Sequence, residues 1–369
     1  MSELDELRLR IRQIDDQIVR LIRERMEFAS EVGRLKKQRR VPLRDWQVER
    51  VVLEHAEGVA DRLGVSRSLA RSVMQLLMNE SRAEQERQTY SNYSGSAECI
   101  AVIGGRGKMG RWIADFFCDQ GHRVQVYDVA GAAPLPEAAR HDSAASLEEA
   151  LRDASFAVVA TPLSIVPRTI EEIASLRYTG IVFDIASLKG HLKDAIAGAR
   201  SAGVSVTSIH PMFGPATRAL SDQVICICDC GDTESTRRVR GFFADTAATL
   251  VDLSLDEHDR IASYVLGLSH LTNILFTRVL MKGGDSFAAL NRVGSTTFHS
   301  QMATTETVMR EDPDLYYSIQ RLNPFTPPLY DALLEELNAL TRAVLENNHQ
   351  KFSDMMTAGR QWLGHKRTP

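Results

Sequence analysis

Three glycines in a G-x-G-x-x-G pattern give this chain its most specific chemical signal. They follow an apolar run of strand length and precede an amphipathic stretch of helix length. In such a strand–turn–helix unit, Gly105 allows a tight turn, Gly107 lets backbone approach a pyrophosphate, and Gly110 lets helix pack on strand. Unpaired N–H groups at the start of the helix then bind the phosphates. The predicted phosphate site consists of Gly105, Gly107, Lys108, Met109 and Gly110.

Asp128 ends the second apolar run of this unit. A carboxylate in that place accepts hydrogen bonds from the ribose hydroxyls of NAD and repels the 2′-phosphate of NADP. The next residues, Val129-Ala130-Gly131, supply no Arg or Lys to hold such a phosphate. NAD is therefore the expected cofactor.

Residues at the ends of later apolar runs can serve the nicotinamide end of the same cofactor. The first of these predicted strands ends at Thr161-Pro162, where a loop beside the nicotinamide is expected. Strand C-termini form the ligand crevice of a doubly wound sheet, so Ser187 and His210 are expected to point toward it. A histidine on a strand-end loop, between apolar strand and proline, favours a functional role. The predicted strands are 156–162, 181–184 and 204–209.

The N-terminal residues 4–35 predict one long helix with an apolar stripe that is interrupted at Arg25. A cation on a buried helix face is costly unless an anion pairs with it. By itself the gap fits a snorkelling arginine or an Arg–Glu pair in a coiled coil equally well. Arg8 and Lys36 flank the same stripe, however, and three cations favour a polyanionic ligand. Arg8 lies about 25 Å from Arg25 at 1.5 Å per residue, so it joins them only from a second, antiparallel copy. This geometry predicts an intertwined dimer.

Two further helices are predicted in this part of the chain. Asp45 can cap the first, which Gly64 stops. Ser66 can cap the second, which carries Ser81 and Gln85 near its end.

Composition excludes several classes of protein. The hydrophobic content of 44% and charged content of 25% are those of an ordinary soluble protein. A net charge of −4 gives no global basic field, so nucleic acid is not an expected partner. No apolar stretch reaches membrane-spanning length, and the acidic N-terminus is unlike a signal peptide. Cys226, Cys228 and Cys230 alternate as on a strand face, so we expect free thiols, no metal site and a cytoplasmic protein.

The first 90 residues resemble the all-helical chorismate mutase family, whose three-helix chains form interlocked dimers. The resemblance implies that Arg25 and Lys36, with Arg8 of the second copy, hold the substrate carboxylates. The matching motifs are Leu7-Arg8, Glu24-Arg25-Met26-Glu27, Glu31-Val32-Gly33-x-x-Lys36, Pro42-x-Arg44-Asp45, Glu49, Ser81 and Gln85.

The same resemblance assigns the remaining site residues. It implies that Asp45 and Glu49 bind the ring hydroxyl, that Gln85 addresses the ether oxygen, and that Ser81 contributes to the substrate site. One position departs from the family, which has arginine directly before that glutamate where this chain has Val48.

Residues 98–365 resemble prephenate dehydrogenase. The resemblance implies that His210 accepts the proton of the ring 4-hydroxyl while hydride leaves C4 for NAD and the ring carboxylate leaves as carbon dioxide. It also places Ser187 beside the same region and His270 in the pocket lining. The matching motifs are Gly104-Gly105-x-Gly107-x-Met109-Gly110, His210-Pro211-Met212-Phe213-Gly214-Pro215 and Glu257-His258-Asp259.

A multidomain fold follows. We predict an all-α three-helix chorismate mutase domain at 1–90, a linker at 91–97, an α/β Rossmann-type NAD domain at 98–255 and an all-α C-terminal domain at 256–369 for dimerisation and substrate binding. Helices in the last domain are predicted over 257–282, 286–311 and 327–363.

Mutase and dehydrogenase in this order resemble the bifunctional enzymes of tyrosine biosynthesis. The leading function is chorismate to prephenate, then NAD-dependent oxidative decarboxylation to 4-hydroxyphenylpyruvate. A rival follows from Val48 and from Thr307, which stands where the family carries the arginine for the substrate carboxylate. Fewer cations suit 4-amino-4-deoxychorismate and 4-amino-4-deoxyprephenate, which carry an ammonium at C4. Arg292 or Arg310 are alternative replacements for the missing arginine. In a third hypothesis the helical domain serves only dimerisation.

Overall fold

A computed structural model describes residues 2–38, 46–90, 95–129, 140–217 and 219–364 of the chain. Backbone contacts divide the chain into two compact units, Met1–Leu255 and Asp256–Pro369. The first unit combines three N-terminal helices with an eight-stranded sheet and its helices, and the described residues of the second are helical.

The N-terminal helices begin and end at recognisable signals. The helix predicted over 4–35 is confirmed and is slightly longer. Gly64, with φ of +67°, follows the second helix, and the Ser66 hydroxyl accepts a hydrogen bond from the Leu69 N–H at the start of the third. Asp45, the expected cap of the second helix, lies outside the described residues. The helices are α1 (Glu3–Gln38), α2 (Trp46–Leu63) and α3 (Arg67–Tyr90).

The apolar stripe of α1 faces solvent in the single chain. All nine of its side chains are exposed, from 39% at Leu35 to 64% at Leu21. We call this set the α1 stripe: Leu4, Leu7, Ile11, Ile14, Ile18, Leu21, Phe28, Val32 and Leu35.

Eight strands form one sheet in the order β3-β2-β1-β4-β5-β6-β7-β8. Neighbouring strands run parallel except β6 and β7, which are antiparallel. Parallel strands need crossover connections, which place helices over the sheet. The strands are β1 (Cys99–Ile103), β2 (Arg123–Tyr127), β3 (Asp142–Ser143), β4 (Phe156–Val159), β5 (Ile181–Asp184), β6 (Ser205–Pro211), β7 (Val224–Cys228) and β8 (Thr249–Leu253).

Phenylalanines fill the core between the sheet and its helices. Phe242 packs edge-on against Phe117 and Phe156, with ring centroids 5.0 and 4.8 Å apart. All three rings are almost completely buried, so they fix the helices of Phe117 and Phe242 on the sheet that carries the site. The helices of this part are α4 (Lys108–Asp119), α5 (Leu147–Leu151), α6 (Val166–Ser175), α7 (Lys193–Ser201) and α8 (Thr233–Ala244).

The second unit consists of helices of unequal length. A π-helical turn, Ser263–Leu268, joins α9 to α10, so that the helical run predicted over 257–282 is confirmed as one element with a local widening. The helices are α9 (Leu255–Ala262), α10 (Ser269–Lys282), α11 (Phe287–Arg292), α12 (Thr296–Met309), α13 (Pro313–Leu322), α14 (Thr326–Leu345) and α15 (His349–Gly364).

Two predicted helices in this unit are wrong as single elements. The run 286–311 breaks where the Ser295 hydroxyl accepts from the Phe298 N–H and starts α12. The run 327–363 breaks at Asn347, whose φ of +54° no α-helix accommodates. We did not predict α13, which Asp312 caps and a proline at the first helical position initiates.

Other expectations concern cysteines, metals and membranes. All five cysteines lie in the described ranges and are free thiols, with Cys226 and Cys228 buried in β7 and Cys230 buried just beyond it. Within these ranges no cluster of three His, Cys, Asp or Glu side chains is arranged to hold a metal ion. None of the described helices combines the length and apolarity needed to span a bilayer.

Candidate active sites

The turn between β1 and α4 forms a phosphate site from backbone atoms. We expected the tight turn at Gly105. It lies one residue earlier, at Gly104, whose φ is +82°. A Cβ on Gly105 would lie 2.5 Å from the Val126 side chain, and one on Gly110 would lie 2.2 Å from the Gly104 carbonyl oxygen. Both positions therefore admit only glycine while α4 stays packed on the sheet.

The N-terminus of α4 is available for an anion. Gly107 is its N-cap residue, in extended conformation, and it has no side chain with which to cap the first N–H groups. Lys108 is exposed and Met109 half-buried in the first turn. Backbone N–H groups and the helix dipole at such an end bind phosphate.

A cavity of about 500 Å³ lies beside this turn and contains three of the predicted cofactor residues, Asp128, Thr161 and Pro162. The Arg106 N–H donates to Asp128 Oδ2 at 3.0 Å, which holds the carboxylate at the end of β2. Thr161 Oγ1 is buried without a partner among the described residues. A fixed carboxylate, an unsatisfied hydroxyl and a glycine turn fit the ribose and phosphates of NAD.

His210 lies inside a strand instead of on the loop that we expected. It is the next-to-last residue of β6, it pairs with Cys226 of antiparallel β7, and it is only 5% exposed. Ser187 is half-buried in the segment after β5. Since β5 and β6 are adjacent and parallel, these two residues lie at the same edge of the sheet, the edge that forms the crevice.

The segment after His210 is attached to the nucleotide-binding helix. Trp112 of α4 donates from Nε1 to the Thr217 carbonyl oxygen at 2.9 Å, and its ring meets Phe213 edge-on with centroids 4.9 Å apart. The histidine motif and the phosphate helix are therefore held in one rigid frame.

Sequence reasoning missed Lys189, which follows Ser187 by two positions. Its side chain is completely buried and its ammonium group donates to Asp184 Oδ1 and to the Ile209 carbonyl oxygen. The sequence signal that could have identified it is its position in the mostly apolar segment that follows the buried strand β5.

In the second unit, His270 is 9% exposed and stacks on Tyr316 with ring centroids 3.9 Å apart. Burial lowers the pKa of His270. Thr307 is exposed on α12, where its hydroxyl donates to the Ala303 carbonyl oxygen at 3.1 Å. Arg310 is exposed and pairs with a glutamate one turn earlier.

Arg292, the other alternative for the missing arginine, is exposed at the end of α11. Arg292 and Arg310 are thus both exposed in the second unit.

In the N-terminal helices the structure brings Arg25 and Ser81 together. Arg25 is half-buried, and its Nη1 donates to Ser81 Oγ at 2.6 Å and to the Leu77 carbonyl oxygen at 3.0 Å. Partial burial lowers the pKa of the Arg25 guanidinium. Lys36 is half-buried. Arg8 is exposed, and its Nη1 lies 3.8 Å from Asp5 Oδ1.

The predicted residues Asp45, Glu49 and Gln85 complete the list for the helical site. Asp45 lies outside the described residues. Glu49 and Gln85 belong to α2 and α3, with side chains outside the described part.

A doubly wound sheet with a glycine turn, a carboxylate at the end of β2 and a buried histidine at the crevice defines an NAD-dependent dehydrogenase. A helical domain with a cationic site precedes it on the same chain.

Three family models match successive parts of the chain: Chorismate mutase type II at residues 7–86, the nucleotide-binding domain of prephenate dehydrogenase at 122–251 and its dimerization domain at 254–358. The chain belongs to the bifunctional chorismate mutase and prephenate dehydrogenase family, an isomerase and an NAD-dependent oxidoreductase in one polypeptide. The predicted fold class, enzyme classes and cofactor are confirmed.

Individual relatives are distant. The T-protein of Enterobacter agglomerans is 24% identical over 364 residues, which are 99% of this chain and 94% of that protein. A 4-amino-4-deoxyprephenate dehydrogenase of Streptomyces pristinaespiralis is 25% identical over 285 residues, 72% of this chain and 91% of that protein. The structure of prephenate dehydrogenase from A. aeolicus with hydroxyphenyl propionate and NAD+ matches with a TM-score of 0.61 at 15% identity, covering 74% of this chain and 99% of that one. That likeness shows a shared fold.

Proposed function

We propose that the helical domain converts chorismate to prephenate and that the rest of the chain oxidises prephenate to 4-hydroxyphenylpyruvate, two steps toward tyrosine. The buried His210 at the crevice edge of an NAD-binding sheet carries this proposal for the second reaction. The similarity to the T-protein over nearly the full length of both chains supports the pairing of the two activities.

In the dehydrogenase site, His210 accepts the proton of the ring 4-hydroxyl. NAD, when bound, accepts the hydride from C4. The ring carboxylate then leaves as carbon dioxide, and aromatisation makes the step favourable. Ser187, at the same sheet edge, hydrogen-bonds to the 4-hydroxyl region, and His270 lines the substrate pocket. The turn from Gly105 to Gly110 holds the pyrophosphate and Asp128 the ribose.

In the mutase site, cations act on a dianion without covalent chemistry. Arg25 and Lys36 hold the two carboxylates with Arg8 of a second copy, and Gln85 stabilises the charge that develops on the ether oxygen. The hydrogen bond from Arg25 to Ser81 anchors this guanidinium against α3. We retain Asp45 and Glu49 as ligands of the ring hydroxyl.

We further propose a homodimer that shares its mutase sites. Arg8 and Arg25 lie about 25 Å apart along α1, so one chain cannot bring both to a single small substrate. A second, antiparallel copy supplies the missing arginine and covers the α1 stripe, whose nine apolar side chains are otherwise exposed. The match to a dimerization domain at 254–358 supports a dimer independently.

The domain limits and location are also proposals. We assign 1–90 to the mutase, 91–97 to the linker, 98–255 to the NAD domain and 256–369 to the dimerisation and substrate domain. Free thiols support a cytoplasmic enzyme. We also propose that it has no nucleic-acid or membrane partner, and its net charge of −4 supports the former.

We assign the hydroxy substrates in preference to the 4-amino analogues. Val48 and Thr307 each remove a cation expected beside the substrate, which motivates the alternative. The comparisons favour the hydroxy substrates, since the T-protein aligns with both domains, whereas the aminodeoxyprephenate dehydrogenase aligns with 72% of the chain.

The test is His210→Asn in the full-length enzyme. We expect NADH production to fall by about 10²–10⁴-fold, the usual worth of general-base catalysis, with NAD affinity and mutase turnover unchanged. Exposed His349→Asn serves as the control and should match the wild type. Retention of more than a tenth of wild-type turnover by His210→Asn would contradict the assignment.

A further inference from the structure

A buried ion pair lies next to the two proposed dehydrogenase residues. The side chains of Lys189 and Asp184 are both 0% exposed, and Lys189 Nζ lies 2.6 Å from Asp184 Oδ1. Moving two charges out of water costs several kcal/mol for each ion, and apolar residues of the same volume are often as stabilising. Core packing alone therefore gives no reason for charges in this place.

The second contact of each partner leads toward the site. Lys189 Nζ also donates to the Ile209 carbonyl oxygen at 2.7 Å, and Ile209 directly precedes His210. Asp184 Oδ1 also accepts from the Ala186 N–H at 2.9 Å, and Ala186 directly precedes Ser187. One carboxylate oxygen and one ammonium group thus connect the residues that precede both site residues.

The sheet itself does not provide this connection. The described register between β5 and β6 ends with Asp184 opposite Ser208, after which β6 continues to Pro211 while the chain leaves β5. The Lys189 side chain bridges the segment 185–189 and the end of β6 beyond this register.

The surroundings of Lys189 agree with this placement. Burial raises the pKa of the Cys226 thiol, and the nearby Lys189 ammonium opposes that rise. Cys226 is the β7 partner of His210. The ammonium group therefore lies close to the register position of the histidine.

We propose that Lys189 and Asp184 are positioning residues that set the distance between Ser187 and His210. This inference rests on the proposed roles of those two residues. In this role the pair does not contact the substrate. It holds the segment after β5 and the end of β6 in the geometry that proton and hydride transfer require. A displacement of about 1 Å at a reacting group can cost on the order of 100-fold in rate.

Three variants of the full-length enzyme test it: Lys189→Met, Asp184→Asn, and the two combined. The combination removes both charges, so it leaves no unpaired buried ion, and asparagine keeps volume and an acceptor for the Ala186 N–H. Exposed Lys193→Met, four residues away, is the control. Dehydrogenase kcat is expressed per NAD-binding site, counted by NAD titration, so that misfolded chains do not enter the rate.

We expect kcat per site to fall at least tenfold in Lys189→Met and in the double variant, and at least threefold in Asp184→Asn. KM for prephenate and Kd for NAD should stay within threefold, mutase turnover should not change, and Lys193→Met should match the wild type. The double variant should melt within a few degrees of the wild type.

A merely structural pair gives a different pattern. The double variant would then recover kcat to within threefold together with its melting temperature, and this result would overturn the inference. If Lys189→Met yields no NAD-binding sites, Asp184→Asn decides by the same criterion. An active His210→Asn enzyme would instead remove the proposed catalytic role, so the two failures are distinguishable.

Discussion

At the scale of single residues, we predict that the charge beside the substrate determines which substrate the enzyme prefers. Val48 is exposed in α2, one position before Glu49, where the chorismate mutases that this domain resembles carry arginine. A guanidinium there would add a charge-assisted hydrogen bond to a substrate carboxylate, worth about 1.5–3 kcal/mol. Its absence is a handicap with chorismate and an advantage with a substrate that already carries an ammonium group.

We therefore predict that Val48→Arg raises kcat/KM for chorismate by about ten- to a hundredfold, the equivalent of that energy. With 4-amino-4-deoxychorismate the same change should have no effect or be harmful, because the guanidinium repels the amine. Steady-state kinetics of wild type and variant with both substrates measures this, and Val48→Gln controls for side-chain length without charge. A tenfold wild-type preference for the amino compound would reverse our assignment.

Functional residues could be predicted from the sequence where they interrupt a regular pattern of residue types. Arg25 was recognisable because it interrupts an apolar repeat, and it makes the long-range hydrogen bond to Ser81. The turn glycine was misplaced by one residue, since the G-x-G-x-x-G spacing selects Gly105 and only the backbone angle shows that the adjacent Gly104 makes the turn. Lys189 was missed because lysines near strand ends are usually solvated, and its burial depends on tertiary packing.

At the scale of elements, the nucleotide site depends on close packing of α4 against the turn before it. The strands were predictable because strands buried on both faces of a sheet are short continuous apolar runs, and the long N-terminal helix was predictable from its helical spacing of apolar residues. The breaks in the C-terminal helices were not predictable. Asn347 and the Ser295 cap interrupt stretches whose apolar residues keep a helical spacing on both sides.

Gly110→Ala tests this packing. The new Cβ would lie 2.2 Å from the Gly104 carbonyl oxygen, so α4 must move away from the phosphate turn. We expect KM for NAD to rise at least tenfold with mutase turnover unchanged.

Gly198→Ala in α7 is the matched control, because its Cβ would meet nothing within 4 Å. Alanine is the better helix former by about 1 kcal/mol, so this variant should be fully active and as stable as the wild type or more so. Unchanged NAD binding in Gly110→Ala would show that the turn tolerates movement of the helix.

At the scale of the whole molecule, the exposed α1 stripe and the distance between Arg8 and Arg25 both support the proposed antiparallel dimer. A two-fold dimer presents identical surfaces to each other, so each copy gives Arg8 to one site and Arg25 to the other. In the proposed dimer, the helical domain depends on assembly for catalysis as well as for burial of its apolar face.

Mixing Arg8→Ala and Arg25→Ala chains tests shared sites. Each variant alone should be nearly inactive as a mutase, but a heterodimer regains one intact site of two, so an equal mixture should recover about a quarter of wild-type turnover. The mixture is assayed after subunit exchange has been confirmed by mass-tagged chains. A chain carrying both substitutions is the control, since it should lower the activity of wild-type chains with which it pairs. No recovery after exchange would show that each chain builds its own site.

The π-helical turn Ser263–Leu268 affects how this enzyme family can tolerate changes in length. A turn of this kind accommodates extra backbone in an otherwise α-helical run. Loss of one residue there would convert it to an ordinary α-helix and leave the faces before and after it in nearly the same relation, because the wider turn already absorbs the extra residue. His258 and His270 lie on opposite sides of the turn, and both are buried. A single-residue deletion in this short window would thus leave the helix continuous and both histidines on their present faces, whereas the same deletion in an unbroken α-helix would rotate its two ends by about 100° relative to each other.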